Sequence, residues 1–292
     1  MSLPIYKDFS KTQDDLANKF YCHSRIAELN FKVKSEDNTE VNVKLHQPGQ
    51  FGANSTSSNL GGESTLKYKY DDLTIEAKTK LPSVHSLKLE VTPKKFNKDL
   101  KLTLNNTGAV AVEYKHKKAN LNVEYVSQKE DMVNLALVAG STPAIFGLDL
   151  GYNLKTGKFN RYNFAMKHYD GTGNSELVLK HLSTNKEAFA FGNFLINYYQ
   201  KINPTLAFVS ELSYNVPKNA VQVTLSSEHK VDDSTTIKSK VNSDGKIAAL
   251  FRHSLNRNII FNLSAEVDSK QLHGSASSNQ FVYGMLFEFS YQ

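Results

Sequence analysis

The residues of this sequence that could do chemistry are lysines on segments where polar and apolar residues alternate. They are Lys32, Lys34, Lys67, Lys69, Lys101, Lys115, Lys238 and Lys240. For any one of them, a place on a solvated strand face is the simpler explanation. Together, cations lining a water-filled space would bias that space toward anions, because low-dielectric walls concentrate the electric field. We therefore expect an effect of the group, without requiring a binding site at any single lysine.

Motifs for catalysis or for cofactor binding are absent from the sequence. The nine histidines are scattered and show no compact spacing for a metal site. No nucleophile elbow, phosphate-binding loop or dinucleotide fingerprint occurs, and Gly171-Thr172-Gly173 is typical of a turn. Cys22 is the only cysteine, which excludes a disulfide within the chain. We predict a protein that is not an enzyme and has no cofactor.

Composition excludes a helical membrane protein but allows a membrane barrel. The 292 residues have a mean hydropathy of -0.43, and no segment approaches the run of about 18 apolar residues that a membrane helix needs. Barrel strands expose only every second residue to lipid, so their average hydropathy stays low. The net charge of +6 is spread along the chain, which argues against a nucleic-acid-binding arm.

The first twenty residues are predicted to form an amphipathic helix. Ile5, Phe9, Leu16 and Phe20 fall near one face at helical spacing, and Pro4 suits a helix start. A docking helix of a globular domain and a membrane-related helix both fit this pattern. The acidic residues in this stretch are atypical of a cleaved mitochondrial presequence, so we expect no processing.

From about Ile26 the pattern changes to a period of two residues and keeps it to the end of the chain. The clearest segment has Phe281, Tyr283, Met285, Phe287, Phe289 and Tyr291 on one face. Turn-forming clusters separate the segments at intervals of roughly ten to fifteen residues, as in consecutive hairpins. The stretch from Pro48 to Gly62 is typical of a flexible loop. We count about nineteen strands and predict two parts, a helix and hinge over 1–25 and a barrel over 26–292.

Alternation alone fits a soluble β-sandwich as well as a membrane barrel. Three features favour the barrel. Hairpins without helical crossovers close most simply into one up-and-down barrel. Lysine and glutamate occur in the middle of strands, as a wide aqueous lumen tolerates, and the chain ends soon after an aromatic-rich strand. We therefore predict an all-β fold, a single transmembrane antiparallel β-barrel.

Several segments are similar to those of one known family. They are the run from Pro4 to Lys11, then Asp15, Leu16 and Lys19, the strand from Lys98 to Thr103, the stretch from Arg161 to Tyr169, and the hairpin from Lys238 to Asn258. By these segments the chain resembles the mitochondrial voltage-dependent anion channel, or eukaryotic porin. Members of that family have nineteen strands, so the strand count and the resemblance are not independent predictions.

The resemblance implies an N-terminal helix folded inside the pore. Lys11 and Lys19, with Asp8 and Asp15 beside them, match positions that the family uses near passing nucleotides. Lys32, Lys101, Lys115, Lys238 and Lys240 would line the same pore. Family members often carry a glycine-rich hinge after the helix, but this chain has Phe20-Tyr21-Cys22-His23-Ser24 there. The last strand resembles the mitochondrial β-signal, with Gly284, Phe287 and Phe289 at its defining positions.

The implied function is a voltage-gated, weakly anion-selective channel of the mitochondrial outer membrane that passes ATP, ADP, phosphate and small metabolites. Three alternatives stay open. One is the protein-import pore of the same membrane, and another is a porin-like barrel that acts as a structural subunit of a larger mitochondrial complex. The third is a soluble all-β lipid-binding protein. The expected partners are membrane lipids, nucleotides and small anions in transit, and further copies of the chain or a larger complex. We expect no nucleic-acid partner.

Overall fold

The computed structural model describes residues 3–48, 61–81, 84–93, 99–127, 131–184, 191–270 and 281–291. The N-terminal segment contains a single 3₁₀ turn, Tyr6–Asp8, and then helix α1, Lys11–Asn18. The predicted helix is thus interrupted after Asp8, and the Ser10 hydroxyl donates to Asp14 Oδ2 at 2.7 Å at the start of α1. Phe20, predicted to share the helical face, lies beyond the helix with a positive φ of 75°.

The described residues also form nineteen strands, as the alternation predicts. Their bounds are β1 Arg25–Lys34, β2 Thr39–Pro48, β3 Gly61–Tyr70, β4 Leu73–Leu81, β5 Val84–Val91, β6 Leu100–Asn105, β7 Ala109–Lys115, β8 Ala119–Val126, β9 Met132–Ser141, β10 Ala144–Asn153, β11 Lys158–Tyr169, β12 Ser175–Leu182, β13 Asn193–Asn203, β14 Leu206–Asn215, β15 Ala220–Lys230, β16 Thr235–Asn242, β17 Lys246–Asn256, β18 Ile259–Asp268 and β19 Phe281–Tyr291. Most of the loop predicted between Pro48 and Gly62 lies outside the described residues, and so does Lys98.

Neighbouring strands pair antiparallel, and the last strand returns to the first to close a barrel. With an odd number of strands, alternating directions leave one pair pointing the same way, and β1 and β19 form that parallel pair. Their register runs from Ala27 opposite Met285 to Val33 opposite Tyr291. Closure pairs both edges of the sheet, which removes the unpaired backbone groups that lipid cannot satisfy.

Side chains alternate between the two faces of the wall along every strand. The outer face is apolar and exposed, as at Leu66 (48% exposed) and Phe146 (56% exposed). The inner face carries most of the charged side chains. This separation is that of a membrane barrel around an aqueous lumen, whereas a sandwich would bury its apolar face.

No helix among the described residues is long and apolar enough to cross a membrane.

Candidate pore lining

The inner face of β1–β7, which we call the open wall, is covered by interleaved lysines and glutamates. Ion pairs join Lys32 to Glu40 at 3.0 Å and Lys78 to Glu76 at 2.8 Å. Besides Lys32, two further predicted pore residues follow the same arrangement, since Lys101 pairs with Glu90 at 2.9 Å and Lys115 pairs with Glu113 at 3.0 Å. Both partners of each pair project from one face because they lie on alternate positions or on adjacent strands.

Cations exceed carboxylates at one end of the open wall. Lys34, Lys44, Lys67 and Lys69 share the inner face of β1–β3, and within the described ranges none of them has a carboxylate oxygen within the 4.0 Å of an ion pair. Glu40 lies opposite Lys34 on one neighbouring strand and opposite Lys67 on the other. The excess of positive charge therefore remains exposed to the lumen.

The inner face of β8–β19, which we call the covered wall, carries the N-terminal segment. The 3₁₀ turn contacts β9 and β10, and α1 contacts β13–β16. Phe9 is fully buried in a cluster that includes Val138, Ile145 and Val178 on inward-facing positions. Burying a phenylalanine ring contributes about 2 kcal/mol, so this apolar patch holds the turn against the wall.

Sequence reasoning missed the inward-facing apolar patch, although a signal for it exists. Met132 to Leu150 is the most apolar region of the sequence, because some of its inward positions, such as Val138 and Ile145, are apolar as well as its outward ones. On an aqueous lumen such residues would be unfavourable, so they indicate a surface that another segment covers.

Polar contacts fasten the remainder of the segment to the covered wall. Asn120 Nδ2 donates to the Leu3 and Pro4 carbonyl oxygens at 2.8 and 3.0 Å. The buried Gln13 donates to Glu176 at 3.3 Å. Lys167 pairs with the same carboxylate at 2.8 Å. These bonds use polar groups on the inner face that the alternation predicted to be facing water.

Lys238 also fastens the N-terminal segment to the covered wall, although its position on a polar strand face predicted a pore-lining role. Its side chain is only 3% exposed and lies beneath α1. Nζ donates to the carbonyl oxygens of Asp15 and Leu16 at 2.9 and 3.3 Å, and it pairs with Glu228 at 2.8 Å. A cation at a helix C-terminus satisfies free carbonyl groups and interacts favourably with the helix dipole. The neighbouring Lys240 donates to Asn18 Oδ1 at 3.2 Å.

The four predicted residues of the helical segment line one cavity of about 580 Å³ between that segment and β13–β16. Asp8, Lys11, Asp15 and Lys19 all border this cavity, together with Lys238. Lys19 is about half exposed and lies 3.8 Å from Asp15. The structure thus brings the helix residues together, whereas Lys32, Lys101 and Lys115 lie on strands of the open wall.

The segment that connects α1 to β1 is held at nearly every residue. The positive φ of Phe20 places its ring under the Arg252 guanidinium, 3.7 Å from the ring centroid. The Cys22 amide donates to Ser264 Oγ at 2.8 Å, and His23 Nε2 lies 3.2 Å from Glu266 Oε2. Burial raises the pKa of the Cys22 thiol and of the Tyr21 hydroxyl. This linker is anchored where a glycine-rich one would be free.

The predicted targeting residues lie on β19 next to the barrel closure. Phe287 and Phe289 face outward, and Phe289 stacks on Phe31 of β1 with ring centroids 4.8 Å apart. Gly284 faces inward, beneath the linker. The targeting role of the three residues stays a prediction.

Over the residues that the structure describes, no group of three or more His, Cys, Asp or Glu side chains is arranged to hold a metal ion.

Known proteins similar to this chain are porins. Residues 3–278 match the sequence model of a family described as eukaryotic porin. Mitochondrial outer membrane protein porin 3 of Arabidopsis thaliana is 26% identical over 276 residues, 93% of this chain and 94% of that protein. Mitochondrial outer membrane protein porin of 36 kDa from Solanum tuberosum is 25% identical over 282 residues, with the same coverage.

Among solved structures, a mutant of the Rh. blastica porin covers 85% of this chain and 90% of its own, at 9% identity and a TM-score of 0.48. A likeness at that level adds nothing to the assignment. The match to the family spans almost the whole sequence, and it confirms the resemblance predicted from the two ends of the chain and the hairpin near its C-terminus. A closed nineteen-stranded barrel with a helix on its inner wall and a sequence that matches from residue 3 to 278 together show that this chain belongs to the eukaryotic porin family.

Proposed function

We propose that this chain is a voltage-gated, weakly anion-selective channel of the mitochondrial outer membrane that passes ATP, ADP, phosphate and small metabolites. The family and the fold point to a channel and not to an enzyme. The curated relatives are named as mitochondrial outer membrane porins, which supports the same membrane for this chain. Lipids would surround the barrel, and nucleotides and small anions would be its transient partners.

One observation carries the proposal, the separation of the two faces of the closed wall. Apolar side chains cover the outside, whereas the open wall presents ion-paired and unpaired lysines to the inside. A barrel of this strand number leaves space for water in its interior. The helix lies against one side of that space, since its main contacts are with β13–β16 of the covered wall. It therefore narrows the space without filling it.

The charge of the lumen supports a weak preference for anions. Most lysines of the open wall are paired with glutamate, so their fields cancel at distances beyond the pair. Lys34, Lys44, Lys67 and Lys69 leave a local surplus of positive charge. A surplus of a few charges in a wide aqueous pore gives partial selectivity, since salt screens charges over about 8–10 Å.

Lys11 and Lys19 are the side chains we propose to be nearest to a passing nucleotide. Both border the cavity beside the helix, and both sit next to a carboxylate, Asp8 or Asp15. A mixture of cations and anions there favours brief contacts with phosphate groups over tight binding. Passage requires such weak contacts, because an anion held tightly would block the pore.

The test is single-channel conductance of the refolded protein in a planar bilayer, with the reversal potential measured under a salt gradient. A large conductance that falls at high voltage and favours anions is the expected result. A cation preference with block by basic presequence peptides would replace the proposal with the protein-import pore. Stable insertion without conductance would replace it with a structural subunit of a larger complex.

A further inference from the structure

Two glycines on the inner face of the barrel lie directly beneath the N-terminal segment. A Cβ atom on Gly284 of β19 would lie 2.1 Å from the Cys22 carbonyl oxygen and 2.2 Å from the Arg25 carbonyl oxygen. A Cβ atom on Gly147 of β10 would lie 2.8 Å from the Tyr6 ring and 2.9 Å from the Phe9 ring. Each distance is below the contact limit for carbon, so any larger residue would displace the segment or the strand.

Backbone conformation does not explain these glycines. Neither Gly147 nor Gly284 is among the residues with positive φ, and both lie inside regular strands whose pairing continues on either side. A glycine inside a strand weakens the strand and often marks a close approach of another part of the chain. Here the approaching part is the N-terminal segment.

The two sites differ in how firmly they hold the segment. Over Gly284 the contacts are carbonyl oxygens of the backbone, and the Cys22 thiol also donates to the Gly284 carbonyl oxygen at 3.1 Å. A backbone atom cannot turn away as a side chain can. Over Gly147 the contacts are the side-chain rings of Tyr6 and Phe9, which can shift without moving the backbone of the segment.

We propose that Gly284 and Gly147 are positioning residues that seat the N-terminal segment against the wall and thereby set the width of the pore. Gly284 seats the linker, and Gly147 seats the 3₁₀ turn. This role of Gly284 is separate from the targeting role implied by the resemblance. The statement about pore width rests on the proposed channel function, whereas the seating of the segment does not.

Cys22 provides a built-in reporter because it is the only cysteine and lies over Gly284. Its side chain is buried, and it contacts Ser264 Oγ at 3.2 Å as well as the Gly284 carbonyl oxygen. Burial also raises the pKa of the thiol, so maleimide should label the native chain slowly. The rate of Cys22 labelling in the refolded full-length chain therefore measures how often the linker moves away from β19.

The experiment compares Gly284→Ala with Gly171→Ala, since an added Cβ at Gly171 would contact nothing within 4 Å. We expect Gly284→Ala to speed Cys22 labelling by about tenfold or more, because the close contact with backbone must be relieved by movement of the linker. Gly171→Ala should label at the wild-type rate. Equal labelling of Gly284→Ala and wild type would overturn the proposal.

Two further variants keep the test decisive if Gly284→Ala does not refold. Ser264→Ala removes the hydrogen bond to the Cys22 amide without adding bulk and should raise labelling by about a few fold. Gly147→Ala should leave Cys22 protected while changing single-channel conductance, because it acts at the other end of the segment. If Ser264→Ala labels at the wild-type rate and Gly147→Ala conducts as the wild type does, the proposed positioning of the N-terminal segment at both glycines is contradicted.

The two readouts separate the positioning role from the channel function. Faster labelling of Gly284→Ala in a barrel that conducts no ions would support the positioning role of Gly284 and refute the proposed channel function. If Gly284→Ala alters conductance while Cys22 stays protected, the substitution acts elsewhere in the barrel, and the positioning role of Gly284 is refuted. Refolding from denaturant bypasses cellular import, so a loss of the targeting signal cannot produce either result.

Discussion

The covered wall, β8–β19, differs from the open wall, β1–β7, in what its inward side chains contact. Inward positions of the open wall carry Lys and Glu that pair with one another and face water, as Lys101 and Glu90 do. Inward positions of the covered wall include Val138, Gly147 and Gly284, which contact another segment of the chain. The same alternation of side chains therefore builds a water-facing surface on one side and a docking surface on the other.

The contrast teaches that inward polarity does not by itself identify a pore-lining residue. Lys238 and Lys101 both occupy inward positions of alternating strands. Lys238 is 3% exposed and satisfies helix carbonyl groups, whereas Lys101 is 32% exposed and faces the lumen. Three substitution experiments test this division, each compared with a matched variant on the other wall or face, and a change of pH tests the linker.

The largest effect is expected for Phe9→Ala. Removing a fully buried ring from the cluster around Val138 should weaken docking of the N-terminal segment by about 3 kcal/mol. Hydrogen exchange of the α1 amides measures this loss. Phe146→Ala on the outer face should leave α1 exchange unchanged, because that ring is 56% exposed and faces away from the lumen. Wild-type protection of α1 in Phe9→Ala would show that polar contacts alone hold the segment.

A smaller loss is expected for Lys238→Met. The substitution keeps the volume of the side chain but leaves two helix carbonyl groups and Glu228 without their donor. We expect docking of α1 to weaken by about 2 kcal/mol, again measured by hydrogen exchange. In Lys101→Met the partner Glu90 still faces water, so α1 exchange should not change. Equal effects of the two substitutions would remove the distinction between the walls.

The preference for anions over cations should change more when lysines of the open wall are replaced than when lysines of the helical segment are replaced. Lys67→Glu with Lys69→Glu replaces two unpaired cations and should lower the anion-to-cation permeability ratio by about twofold. Lys11→Glu with Lys19→Glu makes the same charge change beside Asp8 and Asp15 and should have a smaller effect. Reversal potentials under a salt gradient compare the two variants. A larger shift from the helix pair would place the selectivity of the pore on the covered wall.

Acidification should produce the smallest effect, at the linker. Burial lowers the pKa of His23 below its ordinary value of 6.5, and Lys240 and Lys246 lower it further while Glu266 opposes them. The neutral ring is therefore preferred when the linker is docked. Its contribution to docking is complete above pH 6.5 and declines as the pH falls from there through the lowered pKa.

Hydrogen exchange of the linker amides at pH 7.5 and 5.5, normalised to amides of the open wall, measures this change. His23→Gln cannot titrate and should show the same relative protection at both pH values. Protection that increases on acidification would mean that the ion pair with Glu266 outweighs burial.

The sequence predicted the strands because their physical basis is local. Alternation of Phe287 and Phe289 with the residues between them is a property of neighbouring residues, and the turn predicted at Gly171-Thr172-Gly173 lies between β11 and β12 as expected. The amphipathic start of the chain was also recognised, although the helix is shorter than predicted. Its interruption at Phe9 depends on a patch contributed by β9–β12, which no local pattern contains.

The amino-acid sequence by itself determined the β architecture, the apolar outer face and the family, because each is encoded in periodicity or in short stretches of residues. Only the tertiary structure decided which inward residues face water and which lie beneath the N-terminal segment. Lys238 and Gly284 are more than two hundred residues from the atoms they contact near Asp15 and Cys22. Barrel closure brings those positions together, and the roles of such residues depend on the neighbours that closure supplies.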